Sequence, residues 1–478
     1  MKIIGRKSEI KTLERLYESG KAEFVAVYGR RRVGKTFLIG ETFKGRITFL
    51  HTGLSPLDGN SKNLLSSQLD NFYASLIRAG MKDITRPGSW LEAFILLEKH
   101  LENIDDGTRQ LVFIDELPWL DTAKSNFIQA LESFWNSWGC FRSNLMLIVS
   151  GSSNSWILNN LINNYGGLYN RLTHVMKLSP FTLGECEELL NTAEVRFSRY
   201  DIVQSYMVFG GIPYYLAALD PEKSLAQNID DLFFRHGAQF GNEFERLFNS
   251  MFTNPEKEKS IIRFLFTRNS GYTRKEISTG TGIALGGGLS CSLAALTESG
   301  FILKYVPFGL KKSEEHYKLI DPFCIFWLHF LEKRNDRNET FWEQNVTGQE
   351  LSSWRGLAFE NVCFNHIPQI KTALGISGVS SEESAWSKKK DDTEGMQIDL
   401  LINRRDNVVN MCELKFYSSD FTVDSRYYRT LLSRAETLSE MLPKKAVVRS
   451  TLITTFGLTR NEYSSAFVNT VTMDDLFR

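Results

Sequence analysis

Short apolar runs separated by long helical stretches dominate the first 180 residues of the chain. The runs cover residues 24–28, 47–50, 111–114 and 145–149. Apart from Thr48, these runs are entirely apolar, which is typical of strands that are covered on both faces. The pattern therefore predicts an α/β fold over residues 1–180, with a parallel sheet between layers of helices.

Beyond residue 180 the strand pattern stops and helical periodicity takes over. Segments 183–191, 199–209, 222–236 and 240–250 have the spacing of helices, and we assign residues 181–254 to a helical lid. The next stretch, 257–320, predicts three short helices followed by a two-stranded hairpin. That order of elements is typical of a winged helix, which we place with the following aromatic linker in residues 255–350.

The last part of the chain, residues 351–478, returns to an α/β pattern. It predicts a helix near 425–441 and strands at 398–402, 408–416, 445–448 and 451–455. The polar stretch 375–397 is interpreted as a mobile loop or a long hairpin tip. Six aromatic residues between 322 and 350 are interpreted as core or interface packing: Phe323, Phe326, Trp327, Phe330, Phe341 and Trp342.

Composition and charge narrow the classes of protein. The 478 residues include 56 basic and 56 acidic side chains, so a generally basic nucleic-acid binder is excluded, although a local basic groove is not. No apolar run reaches the roughly 18 residues of a membrane span. The first residues lack the apolar core of a signal peptide. Six scattered cysteines are interpreted as buried thiols in a reducing compartment, which predicts the cytoplasm.

A complete phosphate-loop motif follows the first apolar run. Its eight residues are Gly29, Arg30, Arg31, Arg32, Val33, Gly34, Lys35 and Thr36. The two glycines let the backbone curl so that its N–H groups point at phosphate oxygens, and the following helix adds its dipole. Lys35 is expected to reach the β- and γ-phosphates, and the Thr36 hydroxyl is expected to ligate Mg²⁺.

The run 111–114 leads into Asp115 and Glu116. Asp115 is expected to hold Mg²⁺ directly or through water, and Glu116 is expected to polarise the water that attacks ATP. The run 145–149 leads into Ser150, Gly151, Ser152 and Ser153. These polar residues could sense the γ-phosphate, and ordinary turn chemistry explains them equally well.

These motifs together resemble the archaeal-type P-loop ATPases of the AAA+/STAND branch. The resemblance rests on residues 4–9, 29–36, 115–116, 151–153, 170–171 and 210–216, and it covers residues 1–350. It implies that Gly5 and Arg6 lie near the adenine. It also implies that Gly211 and Pro213 close over the nucleotide from the lid.

The same resemblance makes Arg171 a candidate arginine finger or sensor. In this chain Asn170 precedes it where the family usually has glycine. A surface salt bridge remains an equally open interpretation of Arg171.

Four charged residues stand out in the C-terminal part. Glu360 lies in an apolar helix, Asp399 in a strand, and Glu413 and Lys415 share one face of the next strand. The connector 403–407 predicts a hairpin that brings Asp399 beside them. Asp399 and Glu413 are expected to hold Mg²⁺, Lys415 to act on a metal-bound water, and Glu360 to complete the site or orient Lys415.

This cluster resembles the PD-(D/E)xK nuclease superfamily, so residues 351–478 are assigned to a restriction-endonuclease-like α/β domain. An inactive, salt-bridged remnant of such a site is the alternative. The segments 388–390, 404–405 and 444–445 could line a groove for DNA.

Three other features that suggest DNA or zinc binding have simpler explanations. The third helix of the predicted winged helix, 289–298, has no Arg or Lys, which favours a structural or regulatory module over a reader of DNA sequence. Arg30, Arg31 and Arg32 are interpreted as solvated charge around the nucleotide site rather than as a DNA patch. The histidines have no partners at zinc-ligand spacing.

The sequence therefore predicts an ATP-binding and ATP-hydrolysing switch, with ATP and Mg²⁺ as cofactors, coupled to a nuclease-like domain that processes DNA. The alternative is a nucleotide-controlled scaffold whose inactive nuclease-like domain binds DNA or protein. DNA, a protein and further copies of the chain are candidate partners, and a membrane is not.

Overall fold

The computed structural model describes residues 3–55, 64–152, 154–163, 166–252, 254–311, 314–333, 338–388 and 396–478, with the backbone alone for 386–388 and 396. The chain forms two compact units. The first comprises Met1–Pro180 and Arg246–Pro255, and the second comprises Phe181–Glu245 and Glu256–Arg478.

The first unit is built on a five-stranded parallel sheet. Its strands are β1 (Glu23–Tyr28), β2 (Ile47–Thr52), β3 (Gln110–Asp115), β4 (Leu145–Gly151) and β5 (His174–Lys177), in the order β2-β3-β4-β1-β5. Its helices are α1 (Lys7–Tyr17), α2 (Lys35–Thr42), α3 (Leu64–Arg78), α4 (Trp90–Asn103), α5 (Phe127–Ser137) and α6 (Asn154–Ile157). Every residue of β1, β3 and β4 is buried, as expected for central strands covered on both faces.

An aromatic core fills the space between the sheet and the helices α3, α4 and α5. Phe72 meets Trp90 edge to face with ring centroids 5.6 Å apart, and Trp90 meets Phe127 at 5.0 Å. Because this core fixes the position of the strands, it also fixes where their carboxyl ends meet.

The second unit begins with the helices that the sequence predicted after residue 180. These are α7 (Leu183–Thr192), α8 (Arg199–Phe209), α9 (Pro213–Leu216) and α10 (Leu225–Ile229), followed by the π-helical stretch Asp230–Phe234. The next helix, α11 (Glu243–Met251), begins in the second unit, and its residues from Arg246 onward belong to the first. The segment 222–236 was expected to be one helix, and the structure instead divides it between α10 and the π-helical stretch.

The elements predicted over 257–320 are present, with one addition. They are α12 (Pro255–Phe266), β6 (Tyr272–Thr273), α13 (Arg274–Thr281), α14 (Gly287–Glu298), β7 (Ile302–Tyr305) and β8 (His316–Leu319). The short strand β6 pairs with β8 and makes an antiparallel sheet of order β6-β8-β7, where only a two-stranded hairpin was expected. Two residues are too few to show a period of two in the sequence, so β6 could not be predicted.

The aromatic stretch 322–350 is core, as predicted. It contains α15 (Pro322–Phe330) and α16 (Phe341–Asn345). All six aromatic side chains singled out from the sequence are buried.

The C-terminal part folds around a mixed five-stranded sheet of order β13-β12-β11-β10-β9. Its elements are α17 (Gln349–Asn365), α18 (Ile367–Ala373), β9 (Ser381–Lys388), β10 (Met396–Arg404), β11 (Val408–Lys415), α19 (Ser425–Met441), β12 (Val447–Thr454) and β13 (Asn469–Thr472). The predicted hairpin is β10–β11, with Leu400 opposite Cys412.

Two predictions in this region need correction. The separate strands expected at 445–448 and 451–455 are the single strand β12, because the polar Arg449 and Ser450 continue the ladder with β11 instead of ending it. The segment 375–397 was expected to be a mobile loop or the tip of a long hairpin, and residues 381–388 of it instead form strand β9, which pairs antiparallel with β10. Residues 389–395, which include most of the basic segment 388–390, lie outside the described residues.

All six cysteines are free thiols. The prediction that they are buried is confirmed for four, while Cys140 is half-buried and Cys291 is exposed. Among the described helices, none is long and apolar enough to cross a membrane.

Candidate functional site

The phosphate loop joins the end of β1 to the start of α2, at the edge of the sheet where the carboxyl ends of the parallel strands meet. Gly29 is required there by a close approach, because a Cβ on this residue would lie 2.2 Å from the carbonyl oxygen of Leu178. Gly34 has φ +91° and precedes α2. The backbone of this loop therefore requires glycine at both positions.

Lys35 lies inside this loop. Its side chain is buried, and Nζ donates hydrogen bonds to the carbonyl oxygens of Gly29 at 2.9 Å and Arg30 at 3.1 Å. Burial lowers the pKa of Lys35, while the carboxyl groups of Glu116 and Asp115 act in the opposite direction. The positive charge is thus held within the concave loop, beside the two acidic residues that follow β3.

Asp115 ends β3 and connects the loop to the neighbouring strands. The Thr36 hydroxyl donates to Asp115 Oδ2 at 2.6 Å, and the Ser150 hydroxyl at the end of β4 donates to Oδ1. Strand β4 lies between β3 and β1 in the sheet, which places Ser150 beside the carboxylate. Thr36 and Asp115 are therefore two adjacent oxygen donors, as the sequence predicted for a Mg²⁺ site.

Glu116 is held in a specific orientation at the start of the turn after β3. Its backbone is left-handed, with φ 49°. Its Oε2 accepts hydrogen bonds from the Ser152 hydroxyl at 2.8 Å and from the Ser152 backbone N–H at 3.2 Å. Ser152 is thus a partner of Glu116, a contact that its place in the sequence did not predict. Ser153 lies outside the described residues.

The three arginines of the loop do not form one solvated rim. That prediction is wrong for Arg30, whose side chain is buried. Arg31 is half-buried and lies over the Trp119 ring, 5.9 Å from its centroid. Arg32 is half-buried and has φ 71°, and Val33 is buried under the loop.

The residues expected near the adenine lie at the start of the first unit. Gly5 and Arg6 both have left-handed backbone, with φ 60° and 56°, and precede α1. Arg6 is buried and donates to the Ser179 carbonyl oxygen at 2.6 Å. The structure therefore explains this pair by a local turn and a backbone contact, and its position beside the base stays a prediction.

Arg171 is exposed in the first unit, after a turn centred on Asn170. Asn170 has φ 55°, a left-handed conformation that asparagine tolerates better than other residues with side chains. The departure from the family's glycine at this position is therefore compatible with the same turn.

Gly211 and Pro213 lie in the second unit. Gly211 has φ +67°, and a Cβ there would lie 2.3 Å from the Phe181 carbonyl oxygen. Pro213 begins α9. Local packing within the unit thus accounts for the glycine, and the contact of this segment with a nucleotide stays a prediction.

The second site candidate, in the C-terminal part, brings together the residues that the sequence singled out. Asp399 on β10 accepts from the Leu414 backbone N–H at 3.2 Å, and Lys415 Nζ lies 3.5 Å from Glu413 Oε2 on β11. Burial raises the pKa of Asp399 to about 7; the Glu360 and Glu413 carboxyl groups add to this, and Lys415 opposes it. The four residues therefore share one electrostatic environment despite their separation along the chain.

Glu413 has two partners on α19 that the sequence analysis missed. Arg434 Nη1 donates to its Oε1 at 2.6 Å, and the Tyr427 hydroxyl donates to its Oε2 at 2.5 Å. The sequence contained a signal for these partners, because Tyr427 and Arg434 lie on the same face of α19 as the buried Leu431 and Leu438. An arginine on a buried helical face requires an acidic partner.

Glu360 also has partners that the sequence did not predict. Asn269 Nδ2 donates to its Oε2 at 2.8 Å, and Lys318 Nζ lies 3.6 Å from the same oxygen. Lys318 is on β8 and its side chain is 4% exposed, so this is a buried ion pair. Burial lowers the pKa of Lys318, and the carboxyl groups of Glu360 and Asp399 act against this.

The carboxyl groups of the C-terminal cluster are thus all engaged with protein donors or cations. Within the described ranges, no group of three or more His, Cys, Asp or Glu side chains is arranged to hold a metal ion. The donor chemistry nevertheless suits Mg²⁺, because Glu360 and Asp399 line the same small cavity and offer oxygen ligands.

Comparisons with known proteins bear on the first unit above all. Residues 3–219 match a family described as an ATPase domain predominantly from Archaea. The chain is also 23% identical over 447 residues to an uncharacterized protein of Methanocaldococcus jannaschii, a match that covers 91% of this chain and 92% of that protein.

Two solved structures are similar to this chain at low sequence identity. The Walker-type ATPase of Pyrococcus abyssi has a TM-score of 0.47 and 19% identity, over 68% of this chain and 96% of that one. The ORC2 protein of Aeropyrum pernix has a TM-score of 0.43 and 14% identity, over 72% of this chain and 95% of that one.

Residues 3–219 are therefore an ATPase domain of the archaeal type, which confirms that part of the resemblance seen in the motifs. Its parallel-sheet core and phosphate loop are those predicted from the sequence. The placement in the STAND branch, the winged helix and the nuclease-like nature of the C-terminal domain stay predictions.

Proposed function

We propose that this protein binds ATP with Mg²⁺, hydrolyses the ATP, and acts as a switch whose nucleotide state controls the C-terminal domain. The proposal is carried by the hydrogen bond between Thr36 and Asp115, whose oxygens lie 2.6 Å apart at the rim of the phosphate loop. This pairing joins the loop to the acidic end of β3. The two halves of an ATP site are therefore assembled in one place.

The residues present fit such a site. Thr36 and Asp115 supply hard oxygen donors of the kind that Mg²⁺ prefers, and they would hold the ion. Lys35 is buried within the loop, so its charge faces the space that the loop backbone encloses. The N-terminus of α2 adds its dipole to the same space. When bound, Mg²⁺ would neutralise phosphate charge during phosphoryl transfer.

Glu116 is the residue that distinguishes hydrolysis from binding alone. Its carboxylate is held by Ser152 at the end of β4, next to the strand that ends in Asp115. In our proposal it accepts a proton from the attacking water, or orients that water, when ATP is bound. Ser152 acts as a positioning residue that sets the direction of the carboxylate.

Further elements of the proposal concern the rest of the nucleotide. Gly5 and Arg6 would lie near the adenine, and Gly211 and Pro213 would approach the nucleotide from a helical lid. Arg171 is exposed, which suits an arginine finger offered to a second copy of the chain. This last role requires a homo-oligomer, and it loses its support if the protein is a monomer when ATP is bound.

The central test measures ATP binding by calorimetry and phosphate release by a coupled assay. Lys35→Ala should abolish both. Lys44→Ala is the matched control, since Lys44 follows the same helix and its side chain is 73% exposed. Wild-type binding and turnover in Lys35→Ala would contradict the proposed ATP site.

A second candidate function concerns the C-terminal domain, and the convergence of Glu360, Asp399, Glu413 and Lys415 favours it. We infer that this cluster is the site of a Mg²⁺-dependent nuclease, in which Asp399 and Glu413 would hold the ion and Glu360 would complete the metal site or orient Lys415. Lys415 would orient or deprotonate water. Nicking of plasmid DNA with Mn²⁺ that is lost in Asp399→Ala would support it.

If wild-type protein cleaves no DNA under any divalent condition, the scaffold function becomes the better one. In that function the C-terminal domain binds DNA or protein without cleaving it, and the elements of residues 255–350 form a winged helix with a structural role. ATP hydrolysis would be unaffected by this outcome, so the two parts of the proposal are tested separately.

A further inference from the structure

Lys318 is a buried cation placed at the candidate nuclease site by a different part of the chain. It belongs to β8, in the small antiparallel sheet of residues 272–319, whereas Glu360 and Asp399 belong to α17 and β10. Its Nζ lies 3.6 Å from Glu360 Oε2 and 5.0 Å from the centre of the Phe364 ring. The lysine is therefore inserted between an acidic group and an aromatic face.

The cluster around this lysine has equal numbers of acidic and basic side chains. The cluster contains three carboxyl groups, Glu360, Asp399 and Glu413, and three cationic side chains, Lys318, Lys415 and Arg434. Glu413 is paired with Arg434 and Lys415, which leaves Lys318 as the cation paired with Glu360. A divalent ion at Glu360 and Asp399 would add two positive charges beside a buried ammonium group.

Space around the carboxyl groups is also limited. Lys318, Glu360 and Asp399 line a cavity of about 40 Å³ together with Asn269 and Gln397. Such a cavity has room for only a few water molecules. Lys318 of β8 thus takes up part of the space beside these two carboxyl groups.

We propose that Lys318 occupies the cation position of the carboxylate site and competes with a divalent metal ion for Glu360 and Asp399. The inference rests on the second candidate function, the Mg²⁺-dependent nuclease, and concerns its regulation. Metal binding then requires β8 to withdraw Lys318 and the Asn269 amide to leave Glu360. The segment 255–320 is thereby an autoinhibitory element of the C-terminal domain.

The test measures Mn²⁺ binding to the full-length, nucleotide-free protein by electron paramagnetic resonance. Binding is counted only where Asp399→Ala abolishes it, which removes any contribution from the phosphate-loop site. Lys318→Met should bind Mn²⁺ at least about tenfold more tightly than wild type, because one positive charge next to the ligands is removed. Lys318→Arg should keep the wild-type affinity.

A matched control comes from the neighbouring strand. Lys304 on β7 pairs with Glu315 at 2.9 Å, and its side chain is 44% exposed, away from the cluster. Lys304→Met should leave Mn²⁺ affinity unchanged. A gain of similar size in Lys304→Met would mean that the effect is a general loss of positive charge, and it would overturn the proposal.

Two outcomes separate this inference from the function on which it rests. Equal, Asp399-dependent affinity in wild type and Lys318→Met would overturn the role of Lys318 and leave the metal site standing. No Asp399-dependent binding at millimolar Mn²⁺ in either protein would remove the metal site itself, and the regulatory proposal with it.

A measurement on wild-type protein covers the case in which Lys318→Met does not fold. Saturating Mn²⁺ should increase amide hydrogen exchange in β8, because the strand must release Lys318, while exchange in the core strand β4 should not change. Asp399-dependent Mn²⁺ binding without any change in β8 would overturn the proposal.

Discussion

Glu116 and Ser152 are joined by two hydrogen bonds, which link the carboxyl ends of the adjacent strands β3 and β4 of the ATPase sheet. The Ser152 hydroxyl donates to Glu116 Oε2 at 2.8 Å, and the Ser152 N–H donates to the same oxygen at 3.2 Å. Because Glu116 follows β3 and Ser152 follows β4, the orientation of the carboxylate depends on the register between these strands. Ser152, directly after β4, thus acts on the residue proposed to activate water.

Removal of the Ser152 hydroxyl should therefore reduce ATP turnover without abolishing ATP binding. We expect Ser152→Ala to lower kcat by about tenfold, which corresponds to the loss of one hydrogen bond to a charged group. Glu116→Gln should lower kcat by about 10²-fold or more. Ser143→Ala and Glu18→Gln are controls, because both residues are exposed. Unchanged kcat in Ser152→Ala would remove its positioning role.

A second prediction concerns the effect of Gly29 on the stability of the protein. A Cβ at this position would meet the Leu178 carbonyl oxygen at 2.2 Å, and backbone on both sides cannot shift cheaply. Gly29→Ala should lower the free energy of unfolding by about 2 kcal/mol or more and weaken ATP binding. Gly40→Ala is the control: Gly40 lies within α2, and a Cβ added there would meet no other atom within 4 Å, so the change should stabilise the protein by about 0.5–1 kcal/mol. Urea denaturation compares the two variants.

The ATPase domain could be predicted from the sequence because each signal there was local. The loop glycines, Lys35 and Thr36 follow one another along the chain, and Asp115 and Glu116 come directly after an apolar run. The strands around them are buried and have parallel neighbours, so their carboxyl ends meet at one edge of the sheet. The sequence could not predict the partner of Glu116, since Ser152 serves equally well as a turn residue.

Only part of the C-terminal cluster could be predicted from local patterns in the sequence. Asp399, Glu413 and Lys415 could be placed together because a hairpin connects their strands. Lys318 could not, because it approaches from a separate sheet and a single lysine in a short strand has no pattern of its own. The fused strand β12 was missed for a related reason: its polar half, Arg449 and Ser450, is held by pairing with β11 and not by hydrophobic burial.

Asp399 makes stability depend on pH. Its pKa is raised to about 7 in the folded protein, above the ordinary value for an unfolded chain, so the folded state holds this proton more tightly. The stability that this proton supplies is complete below the unfolded pKa and is lost as the pH rises through about 7.

We therefore expect the free energy of unfolding of wild type to fall relative to that of Asp399→Asn between pH 5 and pH 8. The change should be about 1–4 kcal/mol, since each pKa unit corresponds to about 1.4 kcal/mol. Urea denaturation in EDTA measures it, and the exposed Asp420→Asn serves as the control. A wild-type curve parallel to that of Asp399→Asn would show that Asp399 has an ordinary pKa.

The pairing of Arg434 with Glu413 gives the last prediction. Glu413 is 1% exposed, and Arg434 donates to it at 2.6 Å from α19. Arg434→Met leaves a buried carboxylate with only Tyr427 and Lys415 as partners, so it should destabilise the protein by about 3–5 kcal/mol. Tyr427→Phe removes a single hydrogen bond and should cost about 1–3 kcal/mol.

Two further variants decide whether this loss belongs to the ion pair. Arg426→Met changes an exposed arginine on the same helix and should cost less than about 0.5 kcal/mol. Glu413→Gln combined with Arg434→Met should recover part of the stability lost in Arg434→Met, because the unpaired charge is removed. Additive losses in the double variant would show that the two side chains stabilise the domain independently, and the buried pair would then not be what anchors α19 to the candidate nuclease site.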